Sequence, residues 1–392
     1  MKKSLSYRAL QARFYAYALF DDLMPIYPLY AVMFMDTGLD PAQVSSLLFV
    51  WSLTAFLLEI PSGTVADRVP RKYVLIGSQV ARGLGYASWL LFPNYWGFLA
   101  GFVLWGVESA FSSGTRQALL YDELKAQGQE KNYTKVAGRY TSMGILAVGI
   151  ASFVAAWLAP QGYAPLIGLS LASMVVAVLV MASIPKARMA EDVEEFETLG
   201  HIRNGIHELR TNSRALKIVL FASFVLGLGA LDEYHGLFFQ EVGLDNQTIS
   251  IWFGAMTLGG IIAGLFAHRL EQAKWLQRSR GVAFAVAVWG SVLVAATMGG
   301  SLLAPLLITV FTFFFYLIET LTNGWLQHAI QGKSRATVTS MQGFTTELFA
   351  LGGFVIVGYV SQVASFADAL RVCGALAVVV GLGYVLRRKL LQ

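Results

Sequence analysis

The sequence predicts an all-α polytopic membrane protein, with twelve transmembrane helices in two pseudo-symmetric six-helix bundles. Three observations carry that prediction. Apolar residues make up 56% of the 392 and charged residues only 14%, against about 25% charged in a soluble domain. Apolar stretches of about 20 residues, long enough to span a bilayer as helix, recur along the whole chain. Short motifs of the first half return in the same order in the second half, at offsets of roughly 200 to 210 residues.

The spans lie at roughly 12–35, 42–66, 73–92, 95–117, 136–159, 163–184, 215–240, 246–268, 280–299, 302–329, 336–362 and 366–386. They are too long for membrane strands and do not alternate polar with apolar. The first carries Asp21 and Asp22 in its middle. It is too long and too charged for a cleavable leader, and it lacks a convincing small-residue cleavage site. Pro25 and Pro28 follow the acids; they remove backbone donors and permit a bend in that span. Spans 2 and 3 are separated by the charged turn GTVADRVPRK, residues 63–72. Many spans contain glycine, which permits close helix packing. The one long polar stretch, 185–214, holds an acidic run from Glu191 to Glu197 and then Arg203, Arg210 and Arg214. It reads as a cytoplasmic linker between an N-terminal bundle, 1–184, and a C-terminal bundle, 215–392.

The net charge of +5 does not mark a nucleic-acid binder, because the charges are placed by side. All but Arg82 and Arg371 of the 29 Lys and Arg fall in the N-terminal tail, the even-numbered turns and the C-terminal tail. The outward turns carry none, which is the positive-inside bias and places both termini in the cytoplasm. The single cysteine, Cys373, permits no internal disulfide, and no segment has metal-ligand spacing.

The repeat is visible at several points. GLDPAQVS (38–45) matches GLDNQTIS (243–250), and GTVADR matches GLFAHR (264–269). Glu108 with Gly114 matches Glu319 with Gly324, and Ser142-Met143 matches Ser340-Met341. Two six-helix halves of this kind suggest parallel repeats about an axis normal to the membrane. With these residues in view, the chain resembles the major facilitator superfamily of secondary transporters over essentially its whole length, and within it the bacterial drug-efflux group. The strongest match is the turn between spans 2 and 3. Gly63, Ala66, Asp67, Arg68, Arg71 and Lys72 fit the family pattern, with Pro70 in place of its second glycine. The resemblance implies a conformational latch formed by Gly63, Asp67, Arg68, Arg71 and Lys72, with Arg116 as the best partner for Asp67 and Asp122 nearby. Span 5 lacks the Gly-Pro pair usual in drug antiporters, and span 4 offers Glu108 where they carry arginine.

Charges within a span cost at least about 2.5–3.5 kcal/mol on insertion scales and mark function by default. Asp21, Asp22, Glu59, Glu108, Asp232, Glu233, Glu319 and Glu347 are such acids, and Arg82 is the lone deep base among them. Most of these carboxylates must therefore carry a proton, face water or bind a cation. In the resembled fold, spans 1, 4, 7 and 10 line the central cavity. That places Asp22, Glu108, Glu233 and Glu319 first as proton-coupling or substrate-binding groups, with Glu347, Asp21 and Asp232 behind them. Adjacent acids differ by about 100° around a helix, so one of each pair faces the cavity; Asp22 is preferred to Asp21. Glu59 and Arg82 are read as a structural ion pair between spans 2 and 3.

The function expected is alternating-access transport: a proton-coupled exporter of small amphiphilic or cationic compounds, acting as a monomer in a bacterial inner membrane. No cofactor is expected, protons being the coupling ion, and the partners expected are a small-molecule substrate and the lipid bilayer, with no nucleic acid. Alternatives on the same fold are an importer of a nutrient, metabolite or metal chelate, and a lipid flippase. No nucleophile motif or phosphate-binding loop supports an enzyme.

Overall fold

The computed structural model describes residues 6–185, 213–271, 279–329 and 335–386. The expected linker therefore lies almost wholly outside the described residues. Among those residues every regular element is helical. In chain order these are α1 (Tyr7–Asp22), α2 (Tyr30–Asp36), α3 (Pro41–Arg68), α4 (Arg71–Leu91), α5 (Tyr95–Lys125), α6 (Tyr133–Leu158) and α7 (Tyr163–Ser183). They continue with α8 (Ser213–Gly227), α9 (His235–Glu241), α10 (Asn246–Glu271), α11 (Ser279–Ala296), α12 (Leu303–Ala329), α13 (Arg335–Val363) and α14 (Phe366–Leu386).

Spans 1 and 7 are each broken in two. Span 1 stops being α-helical after Asp22 and resumes at Tyr30 through a short 3₁₀ turn, Tyr27–Leu29. Pro25 and Pro28 account for this, since neither can donate to the helix ladder. The freed amide of Ile26 finds Ser170 Oγ of α7 at 3.2 Å, so the break costs no buried backbone donor there. Span 7 is interrupted by a 3₁₀ stretch, Leu228–Tyr234. It contains Asp232 and Glu233 and no proline. In both halves the break falls beside a pair of acids.

The helices form two compact units. The first comprises Met1–Leu39, Leu47–Phe196 and Asn246–Gly254; the second comprises Asp40–Ser46, Glu197–Asp245 and Ala255–Gln392. The segments that pass to the unit of the opposite half belong to the repeated Gly-Leu-Asp motifs and the helix starts that follow them. In the first unit Asn246 Nδ2 donates to Tyr163 Oη at 2.9 Å. In the second, Tyr234 Oη donates to Ser45 Oγ at 2.9 Å.

Within the first unit the end nearest the start of α1 is apolar: Leu10, Phe14, Leu75, Leu119, Leu124, Val136, Met181 and Ile184 pack into one cluster. The opposite end is aromatic, with Phe34 on Phe98 at 4.2 Å between ring centroids and Phe102 stacked on Trp105 at 5.9 Å. Helices α4 and α5 touch backbone to backbone. Trp89 Nε1 donates to Phe98 O at 3.2 Å, and a Cβ on Gly85 would stand 2.9 Å from Gly101 O. The repeat returns the same device in the second unit, where Trp289 Nε1 donates to Phe311 O at 3.0 Å. Because the atoms facing Gly85 are backbone, no rotamer change relieves an added methyl. Gly85→Ala is expected to destabilise the protein by about 1–3 kcal/mol, read as a lower Tm in detergent. An unchanged Tm contradicts the contact.

Among the described residues seven helical segments are apolar and long enough on their own to cross a membrane, and α4 and α5 are not among them. Their hydropathy is lowered by polar residues such as Gln79, Arg82, Glu108 and Arg116, which lie 3.5 Å or closer to polar partners inside the first unit, or 3.6 Å for the Arg82–Glu108 pair.

Candidate functional site

Helical spacing assembles the site. Tyr17 and Asp21 lie four apart on α1, Gln79 and Arg82 three apart on α4, and Glu108, Ser112 and Arg116 four apart on α5, so each set shares a helix face. The three faces converge on Asp21, which is fully buried. Asp21 Oδ1 accepts hydrogen bonds from Arg82 Nη2 and from Gln79 Nε2, the latter at 2.7 Å. Asp21 Oδ2 accepts from Arg116 Nη1 at 2.7 Å. Gln79 Nε2 also donates to Tyr17 Oη at 2.9 Å, and Gln79 Oε1 accepts from Arg82 Nη2 at 3.1 Å. Arg82 Nη1 stands 3.6 Å from Glu108 Oε2, too far for a hydrogen bond but close for an ion pair.

Apolar layers close this cluster on both sides. On the side of the break, Met24 Sδ accepts from Tyr86 Oη at 2.8 Å, and Tyr86 meets Trp105 at 5.8 Å. On the side of the start of α1, Leu75, Leu119 and Phe14 belong to the buried cluster. Charges so enclosed persist only when paired and hydrogen-bonded, and Asp21 meets that condition fully. Asp22 does not: it is half-buried, and among the described residues no hydrogen bond or ion pair reaches its carboxylate. It belongs to the same electrostatic group as Asp21, Arg82, Arg116 and Glu108. Fully ionised, the three acids and two guanidinium groups sum to −1; one proton makes the cluster neutral.

The remaining candidates lie elsewhere. Glu59 was expected to pair with Arg82, but Arg82 is committed to Asp21. Glu59 is exposed, its Oε1 accepting from Ser113 Oγ at 3.5 Å. The two sit on different helix faces, which sequence alone does not fix. Asp232, Glu233, Glu319 and Glu347 belong to the second unit. Asp232 is exposed, and the other three are half-buried.

The charged turn also differs from expectation. The side chain of Asp67 lies outside those described. Arg116, expected as its partner, turns to Asp21 instead. Arg71 pairs with Asp122 at the inner end of α5. That helix has 31 residues, or about 46 Å, so its end clears a hydrocarbon core of about 30 Å. Lys72 donates to Ala182 O at 2.6 Å and to Ile184 O, which are carbonyls at the end of α7 and attract a cation. Gly63, which the resemblance places in the latch, makes no close approach: a Cβ there would meet nothing within 4 Å among the described residues. Arg68 closes the last turn of α3 and is exposed.

Sequence reasoning missed Gln79, Tyr17 and Gly144. Gln79 was legible in principle, since a glutamine one turn from a buried arginine in an apolar helix needs a partner as much as the arginine does. Gly144 was not, because its role is to leave room. A Cβ on it would collide with Asp22 Oδ2.

The arrangement matches a transporter's interior: discontinuous helices, acids at the breaks, and buried charge balanced to within one proton. The family model of the Major Facilitator Superfamily matches residues 13–355. The chain belongs to that superfamily. It is a membrane transporter and not an enzyme. Among solved structures it is similar to the nucleoside transporter NupG, with 12% identity, 98% of this chain and 100% of that one covered, and a TM-score of 0.80. The D-xylose–proton symporter follows with 12% identity, coverage of 98% and 97%, and a TM-score of 0.71. The POT family transporter PepTSo gives 11% identity, coverage of 96% and 97%, and a TM-score of 0.72. At such identities the likeness speaks for the fold. No curated protein matches in sequence. Among the described residues no group of His, Cys, Asp and Glu is placed to hold a metal ion.

Proposed function

We propose that this superfamily member is a proton-coupled exporter of small amphiphilic or cationic compounds. It works as a monomer in a bacterial inner membrane, with both termini in the cytoplasm. The observation that carries the reading is the charge balance of the buried cluster. Three carboxylates face two guanidinium groups, and Asp21 already takes hydrogen bonds from both. The surplus negative charge suits a proton or a cationic group, one displacing the other. An anionic cargo is disfavoured because both deep guanidinium groups are engaged. Tyr27, half-buried and 6.4 Å from Trp105, offers an aromatic face of the kind that holds a lipophilic cation.

In this reading the halves 1–184 and 215–392, joined by 185–214, alternate access to a site near the midplane. The proton and the cargo bind the two states differently and so shift their balance. Of the charged turn, Arg71 and Lys72 tie α4 to the inner ends of α5 and α7, and Asp67 remains the candidate latch residue. Inverted membrane vesicles with an acidic interior test the proposal. They are expected to accumulate a cationic dye, and a protonophore is expected to abolish the uptake. If no dye among a panel accumulates, or if flux runs with the proton as import, the export reading fails.

A further inference from the structure

The surplus negative charge has a specific seat. Helix α1 ends at Asp22, so its last free carbonyls lie beside that carboxylate. A bare carboxylate there faces the negative end of the helix, and a proton or cation relieves the repulsion. Asp21, one residue earlier, is held by Arg82, Arg116 and Gln79. Asp22 points instead onto α6, where Oδ2 occupies the space a side chain at position 144 would fill. A methyl group at 144 would push the carboxylate off this helix. The charged or titratable groups in its electrostatic surroundings are Asp21 on α1, Arg82 and Tyr86 on α4, Glu108 and Arg116 on α5, and Tyr140 on α6. From α7, which also packs against the break, the polar group is Ser170, engaged with Ile26 N.

We infer that Gly144 is a positioning residue: its missing side chain keeps Asp22 out of the Arg82–Arg116 cage and thereby makes Asp22 the group that exchanges the proton. The step is a protonation of one carboxylate oxygen. The Asp22 carboxylate gains a proton from water on one side of the membrane and loses it to water on the other, while Asp21 stays ionised in its cage. A Cβ at 144 displaces the carboxylate from α6, and the cations that act on it there are Arg82 and Arg116, beside which a proton is harder to hold. The inference rests on the proton-coupled reading and sharpens it to a pair of residues.

Infrared difference spectra of the purified, lipid-reconstituted protein between acidic and alkaline pH provide a test that needs no cargo. Bands from several protonated carboxylic acids are expected in the wild type. Asp22→Asn should remove one component of them. Gly144→Ala should move that component's titration to lower pH. Gly138→Ala, on the same helix and with nothing within 4 Å of its Cβ, should leave it unchanged. Spectra in which Asp22→Asn removes no component overturn the assignment, and an unmoved titration in Gly144→Ala overturns the role of the glycine. If Gly144→Ala does not accumulate, the double variant Gly144→Ala/Asp22→Ala should restore folded protein, because the collision is with the Asp22 carboxylate. Failure to restore it also overturns the role of Gly144. The vesicle assay fails separately. Loss of pH-driven flux with the spectra as expected removes the export reading and leaves the proton site. Intact flux with spectra in which Asp22→Asn removes no component does the reverse.

Discussion

Replacing Arg82 with leucine is expected to cost more stability than any other single substitution in the first unit, about 3–5 kcal/mol. Arg82 is 4% exposed. Its Nη2 donates to the Asp21 carboxylate, to Asp21 O at 3.0 Å and to Gln79 Oε1 at 3.1 Å, and Nη1 offsets Glu108 at 3.6 Å. Removing it takes the cluster from −1 to −2 and leaves Asp21 with Arg116 as its one cation. Breaking a buried pair costs more than the pair contributes, because the charge left behind stays desolvated. The measurement is the yield of monodisperse protein and its Tm in detergent. Arg82→Lys should fall between leucine and wild type, since an ammonium keeps the charge but cannot fork across Asp21 and Gln79. The double variant Arg82→Leu/Asp21→Asn should recover part of the loss, because it removes both charges together. A cycle over the four proteins then reads the coupling directly. Additive losses, or a leucine variant as stable as wild type, would show that the two groups are not coupled.

The sequence made the fold legible because membrane solvation acts on each span separately. Twenty apolar residues must become helix whatever their neighbours are, and the proline pair at 25 and 28 announces its own break. The break at Leu228–Tyr234 was not legible, since it contains no proline and depends on packing around Gly227 and Gly229. A Cβ at either position would stand 2.5 Å from a phenylalanine side-chain atom, on Phe349 or Phe315. Half of the site was legible for the same reason as the fold: an acid or base inside a span is conspicuous by its cost. Asp21, Asp22, Arg82 and Glu108 could be picked out one at a time, whereas Arg116 was read only as a partner for Asp67. Their pairing could not be picked out, because it depends on how each helix is rotated about its axis. Glu59 was read as the partner of Arg82, and only the helix faces show that Asp21 takes that place. Gly144 shows the limit in its purest form, as its contribution is an absence that matters only once Asp22 lies against it.

That geometry separates the two acids most exposed to a test of transport. Asp22→Asn is expected to reduce gradient-driven dye accumulation to the level of vesicles without the protein, and to weaken binding of cationic dyes to purified protein. Both effects follow if proton and cargo compete for one carboxylate that no side chain neutralises. The variant should stay folded, because Asp22 makes no hydrogen bond or ion pair among the described residues, and asparagine keeps its shape. Glu108→Gln is also expected to end uphill transport, but for a different reason. Glu108 is 3% exposed and stands 3.6 Å from Arg82. Neutralising it leaves Arg82 and Arg116 facing Asp21 and Asp22 in equal number, so the cluster is balanced without a proton and no longer needs one. The same surplus charge holds a cationic dye, so dye binding should weaken together with its dependence on pH. The two variants thus test one shared negative charge, Asp22→Asn at its seat and Glu108→Gln through the balance of the cluster. Measured side by side in the same vesicles, retained pH-driven transport in both would remove the buried cluster from the mechanism. It would turn attention to Glu233, Glu319 and Glu347 in the second unit.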